Sequence, residues 1–488
     1  MYFISAFRKS IERTEITEFF FQFLRRLCLC GLCKKYIGLA FSLLFLIVSA
    51  VTLYAADYLS VAGRLSLWGA YALDNDSIKE DPSLTGRIKI DAQKSEWRLH
   101  AWTEGGWEGT VRSPRQDHSI FKNFDEVYQD NTPYLEFKEL YMERSLQSID
   151  FRIGIQRFAW GRLDEYPVND LFNPWDYTQF IVRPLEERKI GVPSLSAGMS
   201  RTDWRYEVVW VPWFVPYRLS KPNERWSLIP AGTALSEVPN AEVIPQEPDL
   251  PARKLENSSV GFRIQRMGEI EWAVNLFHGF DPRPLFRTTT LHITEQGGKL
   301  LIDPGFVPSF HKITSLGMDA AAVKDDWSLR AEAAYTFNRP FNMRQELWGY
   351  PQAPCSGVTS LNPVEIEKDA LDYGIAADYR LFEDGLLTIQ AQQAVIFDRP
   401  ATLYDHSVET ILWGNFKVGW MNRKLETNIN LAYNPEHGDS LVKANAYYVF
   451  TDTWKAGVTA LLLDGPPQSI FGRYAENDQI MMEGVYSW

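Results

Sequence analysis

The sequence predicts an all-β chain, a transmembrane antiparallel β-barrel of about eighteen strands, with sixteen as the alternative. Three observations predict it. The last residues alternate, with Ile480, Met482, Gly484, Tyr486 and Trp488 on one face and Met481, Glu483, Val485 and Ser487 on the other, the period of a strand with one apolar face. From residue 57 onward the sequence falls into short alternating segments, joined in turn by tight polar connections and by long ones. The mean hydropathy is slightly negative, yet aromatics make up 14% of the chain, as a wet lumen between two girdles of rings requires.

Taken in order, residues 1–56 stand apart. Lys34 and Lys35 precede an uncharged run from Tyr36 to Tyr54, which is followed by Ala55, Ala56 and Asp57. A positive start, an apolar centre and small residues before a polar one are the parts of a secretory signal peptide; the length of the run also admits a transmembrane anchor. The small residues and the strand-like sequence that follows favour removal near Ala55 or Ala56, leaving residues 57–488 as the barrel. Cys28, Cys30 and Cys33 fall in the removed part, leaving Cys355 alone. The CxxC spacing of Cys30 and Cys33 has no second pair and no adjacent histidine, so no metal or other cofactor is expected. The formal charge is −12, and the first 56 residues contribute +4, which leaves the remainder near −16. An acidic chain argues against nucleic acid as a partner. No helix-length apolar run occurs after Tyr54, so entry into a membrane requires a closed barrel.

Eight tight connections follow, at 94–96, 145–147, 201–203, 267–269, 324–326, 382–385, 422–424 and 451–453. They alternate with nine connections read as long and rich in Pro, Asn and Asp, the largest at 159–193, 212–258, 279–311 and 338–368. Short turns at one end and long loops at the other correspond to the periplasmic and extracellular ends of an outer-membrane barrel, and an even strand number puts both termini on the short-turn side. Between the connections the faces alternate. Arg87, Lys89, Asp91 and Gln93 interleave with Ile88, Ile90 and Ala92, and Thr388, Gln390 and Gln392 with Leu387, Ile389 and Ala391. Trp97, Trp204, Trp272, Trp327 and Trp454 come just after short turns, whereas Tyr71, Trp210, Tyr335, Phe397 and Tyr433 lie near the opposite strand ends. Two aromatic belts mark two membrane interfaces; a soluble sandwich would hold its tryptophans mid-strand.

The sequence carries no Walker loop, no G-x-S-x-G elbow and no H-E-x-x-H pair, and no enzyme activity or catalytic residue is expected. His100 reads as a polar lumen residue with no partner evident in sequence. The informative constellation is the charged inward face. Arg87, Lys89, Arg98, Arg152, Arg263, Arg330, Glu332, Asp378, Arg380, Lys417 and Lys443 are expected to line a pore, with Arg64, Asp91, Glu207, Glu271, Asp319, Asp372 and Glu426 among them. Rows of charge along a pore set which ions or solutes pass. The connection from Trp160 to Pro193 is unusually charged, and Asn173-Pro174 predicts a short helix with Asn173 as its N-cap. Folded back into the lumen, its Arg162, Asp164, Arg183, Glu186 and Arg188 would meet the wall charges Arg152, Arg263 and Arg330 at a constriction.

Gly154, Gln156, Trp160 and Gly161, followed by Asn169-Asp170-Leu171-Phe172-Asn173-Pro174, resemble the Gly-x-Gln-x-x-x-Trp-Gly hairpin and loop of porin-like bacterial outer-membrane families. The C-terminal strand 480–488 resembles their closing strand, through which such proteins engage the barrel-assembly machinery. In length and strand count the chain is similar to the alginate-export barrels, which implies a large single-chain pore; that family's arginine-rich lumen differs from the mixed one here. The resemblance implies a Gram-negative outer-membrane channel in contact with lipid, passing small polar solutes or ions by passive diffusion. Export of an anionic polysaccharide or oligosaccharide such as alginate is the alternative, and an outer-membrane enzyme or a surface-binding barrel the second.

Overall fold

The computed structural model describes residues 56–73, 79–107, 134–220, 225–227, 241–243, 248–288, 290–296, 299–303, 306–342, 357–360, 365–401, 403, 406–467 and 469–488. The expected leader, residues 1–55 with its cysteines, lies outside the described residues, as does Cys355.

Eighteen antiparallel strands form one closed sheet. In chain order they are β1 (Tyr58–Ala72), β2 (Lys79–Lys94), β3 (Trp97–Trp107), β4 (Tyr134–Leu146), β5 (Ile149–Gln156), β6 (Val192–Arg201), β7 (Trp204–Val211), β8 (Ser259–Arg266) and β9 (Ile270–Phe280). The second half comprises β10 (Lys312–Lys324), β11 (Trp327–Asn342), β12 (Glu365–Phe382), β13 (Gly385–Ile396), β14 (Val408–Trp420), β15 (Leu425–Asn434), β16 (Asp439–Val449), β17 (Trp454–Asp464) and β18 (Gln479–Ser487). Each strand pairs with its sequence neighbours, and β18 pairs with β1 from Arg64↔Ser487 to Ala72↔Gln479. Closure leaves no strand edge unpaired. The terminal Trp488 completes the seam, exchanging both backbone hydrogen bonds with Gly63 at 3.0 Å.

All eight tight connections fall where the sequence puts them. At five of them the first turn residue is left-handed: Ser95 (φ 54°), Gln147 (φ 55°), Thr202 (φ 53°), Asp325 (φ 53°) and Met421 (φ 54°). The other end is less uniform than expected. Of its nine connections, 73–78 and 435–438 are short. The large loops also carry strands of their own: Leu285–Thr288 pairs with Phe306–Ser309, and Ala241–Val243, Lys299–Asp303, Thr290–Gln296 and Gly357–Ser360 form a four-stranded sheet. β9 therefore runs to Phe280, and β11 and β12 reach Asn342 and Glu365. Alternating pairing costs nothing extra beyond the membrane, so strands and satellite sheets continue into segments read as loop.

The outer face is apolar: Leu59, Val61, Leu67, Ile153, Leu329, Ile375, Ile389 and Met482 are all exposed. Trp97, Trp327 and Trp454 are exposed at the short-turn end, and Tyr71, Phe337, Phe397 and Tyr433 at the other. An apolar band between two aromatic girdles on a closed barrel is the surface of a protein that meets lipid on all sides.

The interior departs from the wet, charged lumen the sequence suggested. Val209 and Val211 on β7, Phe277 on β9 and Ile313 on β10 point inward and pack with Phe158, Trp160, Phe172, Ile190, Val192 and Val215. Across the barrel Trp413, Ala432, Leu441, Leu461, Leu463 and Met481 pack with Phe180, Ile181, Val182, Trp226, Phe471 and Tyr474. These apolar patches occupy the half nearest the large loops, and both are covered by the connection between β5 and β6.

Candidate functional site: an interior segment anchored around the wall

That connection, residues 157–191, touches the wall on nearly every side. Trp160 donates its indole N–H to Glu207 on β7 at 2.9 Å. Arg162 reaches Glu271 on β9 at 2.9 Å and Asp319 on β10 at 2.7 Å. Asp164 N–H donates to Gln390 on β13 at 3.0 Å. The carbonyls of Ile181 and Val182 accept from Lys443 Nζ on β16 at 3.1 and 2.7 Å. Arg183 pairs with Glu104 on β3 at 2.7 Å, and the two Glu187 oxygens each take a guanidinium nitrogen of Arg87 on β2 at 2.5 Å. Lys138 on β4 donates to the Glu187 carbonyl at 3.1 Å. A segment with partners on strands all around a closed barrel lies inside it.

The wall makes room for the segment. A Cβ on Gly261 would fall 2.5 Å from the Phe172 ring, one on Gly317 1.9 Å from Asn169 Oδ1, and one on Gly374 2.8 Å from the Leu163 side chain. These inward glycines lie on β8, β10 and β12, and each clears the space that one side chain of the segment fills.

The Gly-x-Gln-x-x-x-Trp-Gly residues build the entry. Gln156 is buried and ties β5 to β6, donating to the Ser194 carbonyl at 3.1 Å and accepting from Ser196 Oγ at 2.9 Å. Trp160 stacks edge-on against Phe172 at 4.8 Å. Gly161 has φ +120°, and a Cβ there would lie 2.7 Å from the Glu332 carboxylate, so only glycine suits both backbone and space. Past it the chain wraps around that carboxylate. Glu332 accepts the backbone N–H groups of Arg162, Leu163, Val168 (3.0 Å) and Asn169 (3.3 Å). Successive N–H groups converging on an anion form a nest.

The predicted N-cap role of Asn173 is not what its side chain does. Asn173 Oδ1 accepts from Phe158 N–H at 2.6 Å, and Nδ2 donates to the carbonyls of Gln156 and Ile190 at 3.1 and 2.8 Å. It clamps the two ends of the segment together. The only α-helical turn among the described residues is Leu185–Arg188, which starts after Pro184.

Of the residues expected at a constriction, Arg162 shares Asp319 with Arg263 (2.7 Å to each), and Asp164 meets Arg330 at 2.8 Å. The Glu186 side chain is exposed and the residue contributes its carbonyl to Arg157 at 2.6 Å; the neighbouring Glu187 makes the wall contact instead. Arg188 is buried and pairs with Glu165 within the segment, not with the wall. Among the wall residues, Asp378 bonds Arg330 and Thr388 at 2.8 Å. Arg152 pairs with Glu143 at 2.5 Å, and Arg98 reaches the same carboxylate at 3.4 Å from the short-turn end. Lys89 Nζ sits 4.0 Å over the Trp102 ring. Arg380 and Lys417 are exposed and make no ion pair among the described residues. His100 does have partners, Asp91 at 2.6 Å and Glu139 at 3.6 Å.

Sequence reasoning missed Glu104, Lys138, Asp170, Glu187 and Lys189. Glu104 was within reach, since it shares the even-numbered face of β3 with Arg98 and His100. Asp170 and Lys189 pair inside the segment, where no strand period could reveal them. Burial raises the Asp170 carboxyl against the pull of Lys189. At Glu187 burial also acts to raise the carboxyl, but Arg87 and Arg183 outweigh it and hold the group below its ordinary range.

A closed barrel with an apolar outer face, aromatic girdles and an inward-folded, wall-anchored connection defines a porin-like protein of the bacterial outer membrane. Residues 59–376 match the model of the family described as protein of unknown function DUF1302, and the chain belongs to that family. Solved structures similar to it include OccK8 (OprE) of Pseudomonas aeruginosa, 7% identical with a TM-score of 0.48, the match covering 89% of this chain and 98% of that one. OccAB1 of Acinetobacter baumannii is 7% identical with a TM-score of 0.47, covering 88% and 96%. The Salmonella typhi OmpF complex with daunomycin is 11% identical with a TM-score of 0.40, covering 88% and 97%. No curated protein matches the sequence.

Proposed function

We propose that this chain is a passive diffusion channel of the Gram-negative outer membrane for small polar solutes or ions, and that residues 157–191 narrow its bore. The carrying observation is the anchoring of that segment to Glu104, Glu207, Asp319, Glu332 and Lys443, on five different strands. A chain held across a lumen subdivides it, and the paired charges along its edges bear on whatever passes. Low-dielectric barrel walls focus such a field. The same obstruction argues against export of a polysaccharide, which would need an open bore. The leader at 1–56, extracellular placement of the large loops, and engagement of the assembly machinery through 480–488 belong to this reading.

Conductance of the purified protein in a planar bilayer tests it. The intact barrel should give a steady small current, and deletion of residues 170–187 should raise single-channel conductance and weaken ion selectivity. A folded deletion variant with unchanged conductance would overturn the constricting role. A silent intact barrel would overturn the channel.

A further inference from the structure

Between the interior segment and the short-turn end lies a recess of about 350 Å³. Five guanidinium groups line it, those of Arg152, Arg157, Arg162, Arg205 and Arg263, against one carboxylate, Glu207. Glu207 is already engaged by the Trp160 indole at 2.9 Å. The other carboxylates that balance these arginines are not part of the lining. Glu143 holds Arg152 through Nε at 2.5 Å, Glu139 holds Arg157 at 3.2 Å, and Asp319 holds Arg162 and Arg263, each at 2.7 Å. They balance and fix four of the five guanidinium groups from outside the recess. Both Nη atoms of Arg152 remain open to a ligand, and Arg157 Nε is buried with no partner. Arg205 is exposed and has no ion pair among the described residues.

We propose that this recess is a binding site for a small organic carboxylate, which engages Arg152 and Arg205 through both of its oxygens. Planar guanidinium forks match a carboxylate bidentately, as an ammonium cannot. The Arg152 fork is already held through Nε by Glu143 at 2.5 Å, so little of its side-chain freedom is lost on binding, and the ordering cost falls on Arg205. The volume is at the lower end for small-molecule sites, which suits a short diacid better than a polymer. A cationic solute would find only Glu207, whose carboxylate is already in use. The site's part in transport rests on the channel reading, but binding itself does not.

Calorimetric titration of the detergent-solubilised barrel with succinate, and with neutral succinamide as its isostere, tests the site independently of conduction. Succinate should bind with millimolar or tighter affinity and succinamide should not. The double variant Arg152→Gln/Arg205→Gln, with its β-sheet circular dichroism retained, should bind succinate about tenfold more weakly or worse. The single variant Arg205→Gln, at an exposed position, provides a milder second test should the double variant misfold. Absence of succinate binding, equal binding of succinamide, or undiminished binding by the folded variants would each overturn the site. A current through the same preparation that succinate leaves unaltered would separate failure of the site from failure of the channel.

Discussion

Replacement of Glu332 by alanine should release the interior segment while leaving the barrel intact. The Glu332 side chain is 3% exposed and gathers four backbone N–H groups, from Arg162, Leu163, Val168 and Asn169. A buried donor left without its acceptor costs about 1–3 kcal/mol. Water entering the vacated space recovers part of this, so the lower bound of each range is appropriate, or about 4 kcal/mol for four donors. That is about a thousandfold in the ratio of docked to undocked segment. Glu332→Gln keeps one acceptor oxygen and should fall between. Limited trypsin digestion of the detergent-solubilised protein reads docking directly, because Arg162 and Arg183 become accessible only when the segment leaves the wall. Single-channel recording reads it functionally, as steady current giving way to flicker between narrow and wide levels. Wild-type protease resistance together with wild-type current in a folded Glu332→Ala variant would refute the nest as the anchor.

Gly161→Ala should weaken docking as well, because it strains a φ of +120° and drives a Cβ into the same carboxylate; the check is higher trypsin sensitivity at an unchanged barrel melting temperature. The pH dependence follows from Glu187. Its folded carboxyl lies below the ordinary 4.5, so its contribution to docking is fully present above that value and lost as pH falls through the lowered one. Flicker should therefore appear only on acidification below the ordinary carboxylate range, and Glu187→Gln should show it at neutral pH. Epitope tags at Ala231 and at Asp325 test orientation: surface labelling of intact cells is expected at Ala231, and labelling at Asp325 alone would invert the barrel.

Much of the barrel was legible because a strand writes its environment into alternate residues. Ile389 outward and Thr388 and Gln390 inward are read from period two alone, and the tight turns are read from short polar breaks such as Asp325-Asp326. Non-local information was harder. The inward faces of β7 and β17 turn apolar at their large-loop ends, and the runs Val208–Val211 and Leu461–Leu463 carried that signal as apolar residues on both faces. Its meaning depends on what packs inside, and Phe180, Ile181 and Val182, which do so beside Phe471 and Tyr474, come from a connection hundreds of positions away from Leu461. The same holds for Gly261, Gly317 and Gly374, which look like ordinary strand glycines until the side chains filling their gaps are known.

The charge pattern of residues 157–191 illustrates the limit most sharply. Sequence reasoning placed the segment against the wall because it is too rich in Arg and Glu for a surface crown, yet it chose Glu186 where Glu187 does the pairing. Adjacent residues in an irregular segment point in unrelated directions, so composition can identify the segment but not the side chain. What fixes the choice is geometry set elsewhere: the turn after Pro184 aims Glu187 at Arg87, and Lys138 on β4 holds the Glu187 carbonyl at 3.1 Å. Arg188, one residue further on, is thereby turned back to Glu165. A single turn of helix thus decides which of two neighbouring glutamates pairs with the wall, and exchanging their roles would require rebuilding the turn itself.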